Sequence, residues 1–126
     1  MQVLAFPCSQ FLEQEAATDK EIIEFARVKM GANFPLMKKC DVNGETAHPV
    51  FKKLRKTTEC FYNKQTKKIK NIPWNFCKFI LDSDGKVLAY QNPRESLYNC
   101  VDEIEAILGL KGGDNDAEVA LATLKK

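Results

Sequence analysis

The chain has 126 residues, 44% of them hydrophobic and 29% charged, and a net charge of +2. That length suits one domain around one core, and the composition is that of a soluble globular protein. No apolar run approaches the ~18–20 residues of a membrane-spanning helix, which argues against a transmembrane segment. Five scattered cysteines (Cys8, Cys40, Cys60, Cys77, Cys100) form no Cys-x-x-Cys pair, and His48 is the single histidine. A zinc cluster is therefore not expected, and the odd count reads as reduced thiols rather than a disulfide framework. No charged-then-apolar leader opens the sequence. The expected location is the cytoplasm, with the mitochondrion as the alternative should the true N-terminus lie upstream.

Val3–Phe6 is short and continuously apolar, which predicts a strand covered on both faces. Thr18-Asp19-Lys20-Glu21 has the spacing of a capping box. It precedes Ile22, Ile23, Phe25, Ala26 and Met30, so a helix is expected there, closed by Gly31. Asn43-Gly44 marks a turn. A second helix is predicted to open at Thr46–Pro49 and to bury Val50, Phe51 and Leu54, with Pro49 tolerated in the first turn. Thr57–Lys70 is polar and basic without a persistent period, and reads as a loop or a frayed extension of that helix. Trp74–Leu81 and Lys86–Tyr90 flank Asp82-Ser83-Asp84-Gly85, which predicts a hairpin. After Pro93, a last helix over Glu95–Leu108 would place Val101, Ile104, Ile107 and Leu108 on one side. Residues 1–110 thus read as one domain. Residues 111–126 read as a flexible Gly112-Gly113 joint followed by a short amphipathic tail.

The charge is uneven. Residues 52–70 hold eight basic side chains against Glu59 alone, a net of +7 that leaves −5 for the rest of the chain. Such a surface suits an anionic ligand or a phospholipid headgroup, although a plain solvated helix-and-loop face is the simpler account. No aromatic interleaving or groove-reading motif accompanies it, so nucleic acid is not an expected partner.

Three blocks carry a more specific signal. Val3-Leu4-Ala5-Phe6-Pro7-Cys8-Ser9-Gln10-Phe11-Leu12-Glu13-Gln14-Glu15 resembles the F-P-C-N-Q-F-G-x-Q-E signature of glutathione peroxidases. Asp41-Val42-Asn43-Gly44 with Ala47-His48-Pro49 resembles that family's V-N-G…A-H-P block. Trp74-Asn75-Phe76-Cys77-Lys78-Phe79 resembles its W-N-F-x-K-F block. The resemblance covers about residues 2–108 and implies an α/β, thioredoxin-like fold. It also implies a thiol peroxidase that reduces hydrogen peroxide or organic and lipid hydroperoxides, with glutathione or another thiol as reducing co-substrate and no bound cofactor or metal.

By motif position, Gln14, Trp74 and Asn75 would be the hydrogen-bonding donors around the reactive atom. The chemistry is consistent with those residue types: a thiolate attacking an O–O bond needs a stabilised anion, and indole and amide N–H groups donate without competing for the proton. Arg27 stands where thioredoxin-dependent members carry a second cysteine, and the connection from His48 to Trp74 is short. The first feature resembles one-cysteine, glutathione-using members, and the second resembles the monomeric, phospholipid-hydroperoxide-like branch.

The resemblance also implies departures. Leu12-Glu13 replaces a Gly-rich pair, and Ser9 replaces Asn. The family's nucleophile sits on a strand-to-helix turn about thirty residues before the F-P-C motif, so the N-terminal strand–helix unit that bears it is expected to be missing. Cys8 is the substitute thiol to consider, and His48 reads as a helix-start residue. The missing strand would run between the Val3–Phe6 and Trp74–Leu81 strands. Four or five unpaired backbone groups on each side, at ~1–3 kcal/mol apiece, would exceed a typical stability of ~5–15 kcal/mol. A protein partner or an upstream segment is therefore expected to complete the sheet. The alternative to an enzyme is a catalytically inactive relative serving as a structural or docking subunit.

Overall fold

The computed structural model describes residues 1–110 and, beyond them, the backbone of a strand at 120–123. In chain order the elements are β1 (Gln2–Ala5), α1 (Asp19–Glu24) with a π-helical continuation (Phe25–Lys29), α2 (Pro49–Thr57), β2 (Lys78–Leu81), β3 (Val87–Gln91), α3 (Leu97–Ile107) and β4 (Ala120–Thr123). The four strands form one sheet in the order β1-β4-β2-β3.

Local chemistry explains most boundaries. The Thr18 hydroxyl accepts the Glu21 N–H at 3.3 Å, and the Glu21 carboxylate accepts the Thr18 N–H at 3.0 Å, which completes the capping box of α1. The expected helix to Met30 widens after Glu24 into the π form, where the Met30 N–H reaches the Phe25 carbonyl at 3.1 Å. Gly31 then turns the chain at φ +67°. His48 caps α2, its Nδ1 accepting the Val50 N–H at 3.3 Å, and Pro49 fills the first turn. Asp82 closes the hairpin by accepting the N–H groups of Asp84 and Lys86 at 3.0 and 2.8 Å. Ser96 caps α3 through the Tyr98 N–H at 3.2 Å. Among the described residues no helix is long and apolar enough to cross a membrane.

The core has two parts because consecutive residues of β2 point to opposite faces. Phe79 enters a cluster with Phe6, Phe11, Phe51, Leu54 and Phe61, under α2. Its ring meets those of Phe61 and Tyr90 at 5.8 and 5.1 Å. Ile80 enters the other cluster, with Cys100 and Ile104 of α3.

Several expectations change. Val50 is exposed, because Phe51 and Leu54 define the buried stripe of α2 and Arg55 continues it. Val101 is half exposed, since Cys100 and Ile104, four apart, face the sheet instead. The strand expected from Trp74 begins only at Lys78, because Phe76 adopts φ +64° and breaks the extended run. The 57–70 loop contains an antiparallel bridge, Tyr62↔Ile69.

The largest correction concerns the middle of the sheet. The chain's own β4 lies between β1 and β2, where a partner or an upstream segment was expected. It runs parallel to β1 and antiparallel to β2, and each of its four residues is paired on both sides. The backbone groups that were expected to be orphaned therefore face a strand. The Gly112-Gly113 joint and the rest of the expected tail lie outside the described residues.

Fully buried Phe79 sets the scale for the main core. Phe79→Ala is expected to lower the unfolding free energy by about 3–5 kcal/mol in urea titration, whereas Val50→Ala on the exposed face of α2 should change it by no more than about 0.5 kcal/mol.

Candidate functional site

The loops that follow β1, precede α2 and precede β2 are tied together by two side-chain amides. The Gln10 side chain reaches the 41–44 turn: its Oε1 accepts the N–H groups of Val42 and Asn43 at 2.8 and 2.9 Å, and its Nε2 donates to the Asn43 carbonyl at 3.0 Å. Asn43 passes the tie on. Its Nδ2 donates to the Ile72 carbonyl at 2.9 Å, and its Oδ1 accepts the Ile72 N–H at 2.8 Å. Each amide presents one donor and one acceptor side by side, so it pairs with a loop backbone as a neighbouring strand would. Ile72 is fixed two residues before Trp74, which anchors the third loop at its entrance.

This frame brings two of the expected donors into contact. Asn75 is buried, and its Nδ2 donates to Gln14 Oε1 at 3.0 Å. That bond occupies the acceptor end of Gln14, leaving its Nε2 as the donor end. Trp74 adjoins this pair in the chain. Its ring packs on Phe11, centroids 5.8 Å apart, while 42% of the residue is exposed. It lines a cleft of about 580 Å³ with Pro73, Asn92, Pro93 and Arg94. Gln14 lines a second cleft of about 470 Å³ with Glu15, Ala16, Glu21, Phe25 and Lys29.

The loops hold this arrangement in costly backbone geometry. Leu12 and Glu13 have φ of +57° and +50°, and Phe76 beside Asn75 has +64°. A side chain in this left-handed region costs roughly 1–2 kcal/mol. Leu12-Glu13 thus takes a left-handed turn without the glycine that makes such a turn easy.

Cys8 lies elsewhere in the network. It is buried; its Sγ accepts the Gln10 N–H at 3.4 Å and donates to Gln10 Oε1 at 3.7 Å. Burial raises its pKa, opposed by backbone N–H groups of Gln10 and Val42 and reinforced by Asp41 and Glu15. The thiol therefore keeps its proton at neutral pH, the reverse of what a peroxide-attacking sulfur requires. Cys40 is pushed up to about 11, chiefly by burial and next by Cys8. Cys77 is buried between the Trp74 carbonyl, 3.3 Å away, and the Tyr90 hydroxyl, 3.2 Å away, and burial raises it too. His48 is committed to its helix cap and packs on Phe6, ring centroids 5.9 Å apart. Among the described residues no group of three His, Cys, Asp or Glu could hold a metal.

Residues 1–55 match the glutathione peroxidase family model. A probable phospholipid hydroperoxide glutathione peroxidase of Mesembryanthemum crystallinum is 38% identical over 109 residues, 86% of this chain and 61% of that protein. The chain belongs to the glutathione peroxidase family. A second relative, the probable phospholipid hydroperoxide glutathione peroxidase 6, mitochondrial, of Arabidopsis thaliana, is 37% identical over 109 residues, 86% of this chain and 44% of its own length. The crystal structure of Trgpx in apo form superposes with a TM-score of 0.56 at 31% identity, covering 83% of this chain and 56% of that one. The fold is thus the thioredoxin-like fold of glutathione peroxidases. The chain spans about half the length of the curated relatives it matches.

Two residues that organise this candidate site escaped the sequence reading. Gln10 passed as part of a motif and Asn43 as a turn marker. Their only sequence signal was an amide at the centre of the first two blocks, and their partners lie 29–33 residues away in the chain.

Asn43→Ala strips partners from both backbone groups of Ile72 and is expected to cost about 2–4 kcal/mol. Because Trp74 is the only tryptophan, its emission should shift to the red in the folded variant as the third loop loosens.

The raised thiols fix a pH dependence. A thiol whose folded pKa exceeds its unfolded value of about 9 holds its proton longer when folded, so its contribution is intact below pH 9 and is lost as the pH climbs toward 11. Urea midpoints should fall over that window, and Cys40→Ala should flatten the fall.

Proposed function

We propose that this chain is the donor-bearing part of a thiol peroxidase that reduces hydrogen peroxide or organic and lipid hydroperoxides at the expense of glutathione or another thiol. The Asn75–Gln14 hydrogen bond, with Trp74 beside it at the mouth of a cleft, carries the reading. In the reaction a thiolate attacks one oxygen of ROOH, the O–O bond breaks, and the departing alkoxide takes a proton to leave as ROH. The resulting sulfenic acid loses water to a first reductant thiol, and a second thiol restores the sulfur. Donors held in advance stabilise the thiolate and the charge that grows on the leaving oxygen. The Gln14 Nε2 hydrogens, the second Asn75 Nδ2 hydrogen and the Trp74 indole N–H have that role here.

The reacting sulfur is proposed to come from a segment outside these 126 residues. Cys8 and Cys77 are both buried and raised, and the sulfur contacts of Cys8 run to Gln10 rather than to Gln14 or Asn75. The cytoplasm is the proposed location, with the mitochondrion as the alternative, in keeping with the name of the Arabidopsis relative.

The protein isolated from its native source, with its intact mass measured and its turnover of hydrogen peroxide and a phospholipid hydroperoxide assayed with glutathione, tests this. A mass above the 14.3 kDa of this chain, either from a longer polypeptide or from a tightly held partner, is expected together with turnover. Gln14→Ala or Asn75→Ala in that material should lower kcat/KM about 10²-fold. A 14.3 kDa protein that turns over peroxide and loses the activity on Cys8→Ser would overturn the reading of the sulfur. A protein inert at any mass would leave the structural-subunit role.

A further inference from the structure

We infer that the gap between β1 and β2 is a strand-acceptor site, and that β4 is its intramolecular ligand, exchangeable for the same segment offered in trans. β1 and β2 have no pairing with each other; each is paired to β4, over the same four residues. The walls of the gap are nevertheless anchored without β4. On its other edge β1 is bridged to Leu36, with the Ala5 N–H donating to the Pro35 carbonyl at 3.1 Å and the Met37 N–H to the Ala5 carbonyl at 2.9 Å. Just beyond it the Cys40 N–H donates to the Pro7 carbonyl at 3.0 Å. On the opposite wall β2 is paired with β3 along its whole length. Phe79 and Ile80 hold the same strand to both core clusters.

Such a gap recognises its ligand through the main chain, as in strand addition to a sheet edge, but with two edges at once. The geometry restricts what enters. The segment must be extended and about four residues long. It must run with β1 and against β2, its first residue between Gln2 and Leu81 and its last between Ala5 and Lys78. Residues 120–123, Ala-Leu-Ala-Thr, meet these conditions with uncharged side chains. Twelve residues separate α3 from β4, so the tethered strand competes at an effective concentration on the order of 1 mM. This inference holds whatever chemistry the neighbouring donors perform.

The test uses the full chain and a fluorescent peptide of residues 114–126. Ala122→Pro in the chain removes a donor from the middle of a central strand and should unseat β4. The peptide is then expected to bind this variant saturably and at least tenfold more tightly than it binds the unaltered chain. A peptide carrying the same proline should bind neither. Equal uptake by variant and unaltered chain, or equal uptake of the two peptides, overturns the inference.

If the variant does not hold its fold alone, β2–β3 amide protection restored by the peptide supports the site, and its continued absence counts against it. In the unaltered chain the Leu4 amide, which by alternation from Ala5 faces β4, should be as protected from hydrogen exchange as the β2–β3 ladder. Exchange at the rate of an exposed amide would sink the proposal independently of any variant.

Discussion

Two carboxamides determine where the chemistry-bearing residues sit. Gln10 joins the loop after β1 to the 41–44 turn, and Asn43 joins that turn to the segment leading into Trp74 and Asn75. Loops of this kind have no ladder to hold them, yet their backbone groups still need partners. An amide side chain supplies a donor and an acceptor at strand-like spacing, so two residues register three segments that would otherwise move independently. The Asn75–Gln14 bond then sets which end of the Gln14 amide is available to a ligand. Strained backbone at Leu12, Glu13 and Phe76 can persist because these ties over-determine the loops around it.

The sheet obeys the same accounting on a larger scale. A fold with an empty lane between β1 and β2 would expose two rows of main-chain groups, and β4 answers that need from the far end of the chain. Direction matters as well as presence. β4 runs parallel to β1 and antiparallel to β2, so β1 and β2 themselves run in opposite senses across it. The thioredoxin-like architecture therefore survives with a strand contributed in an unexpected chain order, after α3 rather than before β1.

Charge and thiol placement separate the site from the rest of the surface. The basic residues of 52–70 are mostly exposed, while Arg55 is buried and donates to Asn71 Oδ1 at 3.3 Å. The cysteines divide by burial: Cys8, Cys77 and Cys100 are enclosed and Cys60 is exposed. At Cys77 and Cys100 burial outweighs the opposing charge of Lys78, so these thiols keep their protons and are unreactive. Membership of the glutathione peroxidase family thus rests on the matched sequence, while all five thiols of these residues are shifted away from the reactive thiolate form.

Much of this was open to reading before any coordinates. Capping boxes, Pro at a helix start, Gly after a helix end and the Asp-containing hairpin loop are local rules, enforced by atoms within a few residues, and they placed α1, α2, α3 and the β2–β3 hairpin. The three motif blocks likewise named Gln14 and Asn75, which the fold brings into hydrogen-bond contact. What local pattern could not decide was which residue of an apolar pair faces inward, as at Val50 and Val101. It could not show that the amides of Gln10 and Asn43 reach across 29–33 residues, nor that the tail returns to fill the sheet. Those outcomes depend on which surfaces and unpaired backbone groups meet once the chain is compact, and sequence proximity carries no information about that meeting.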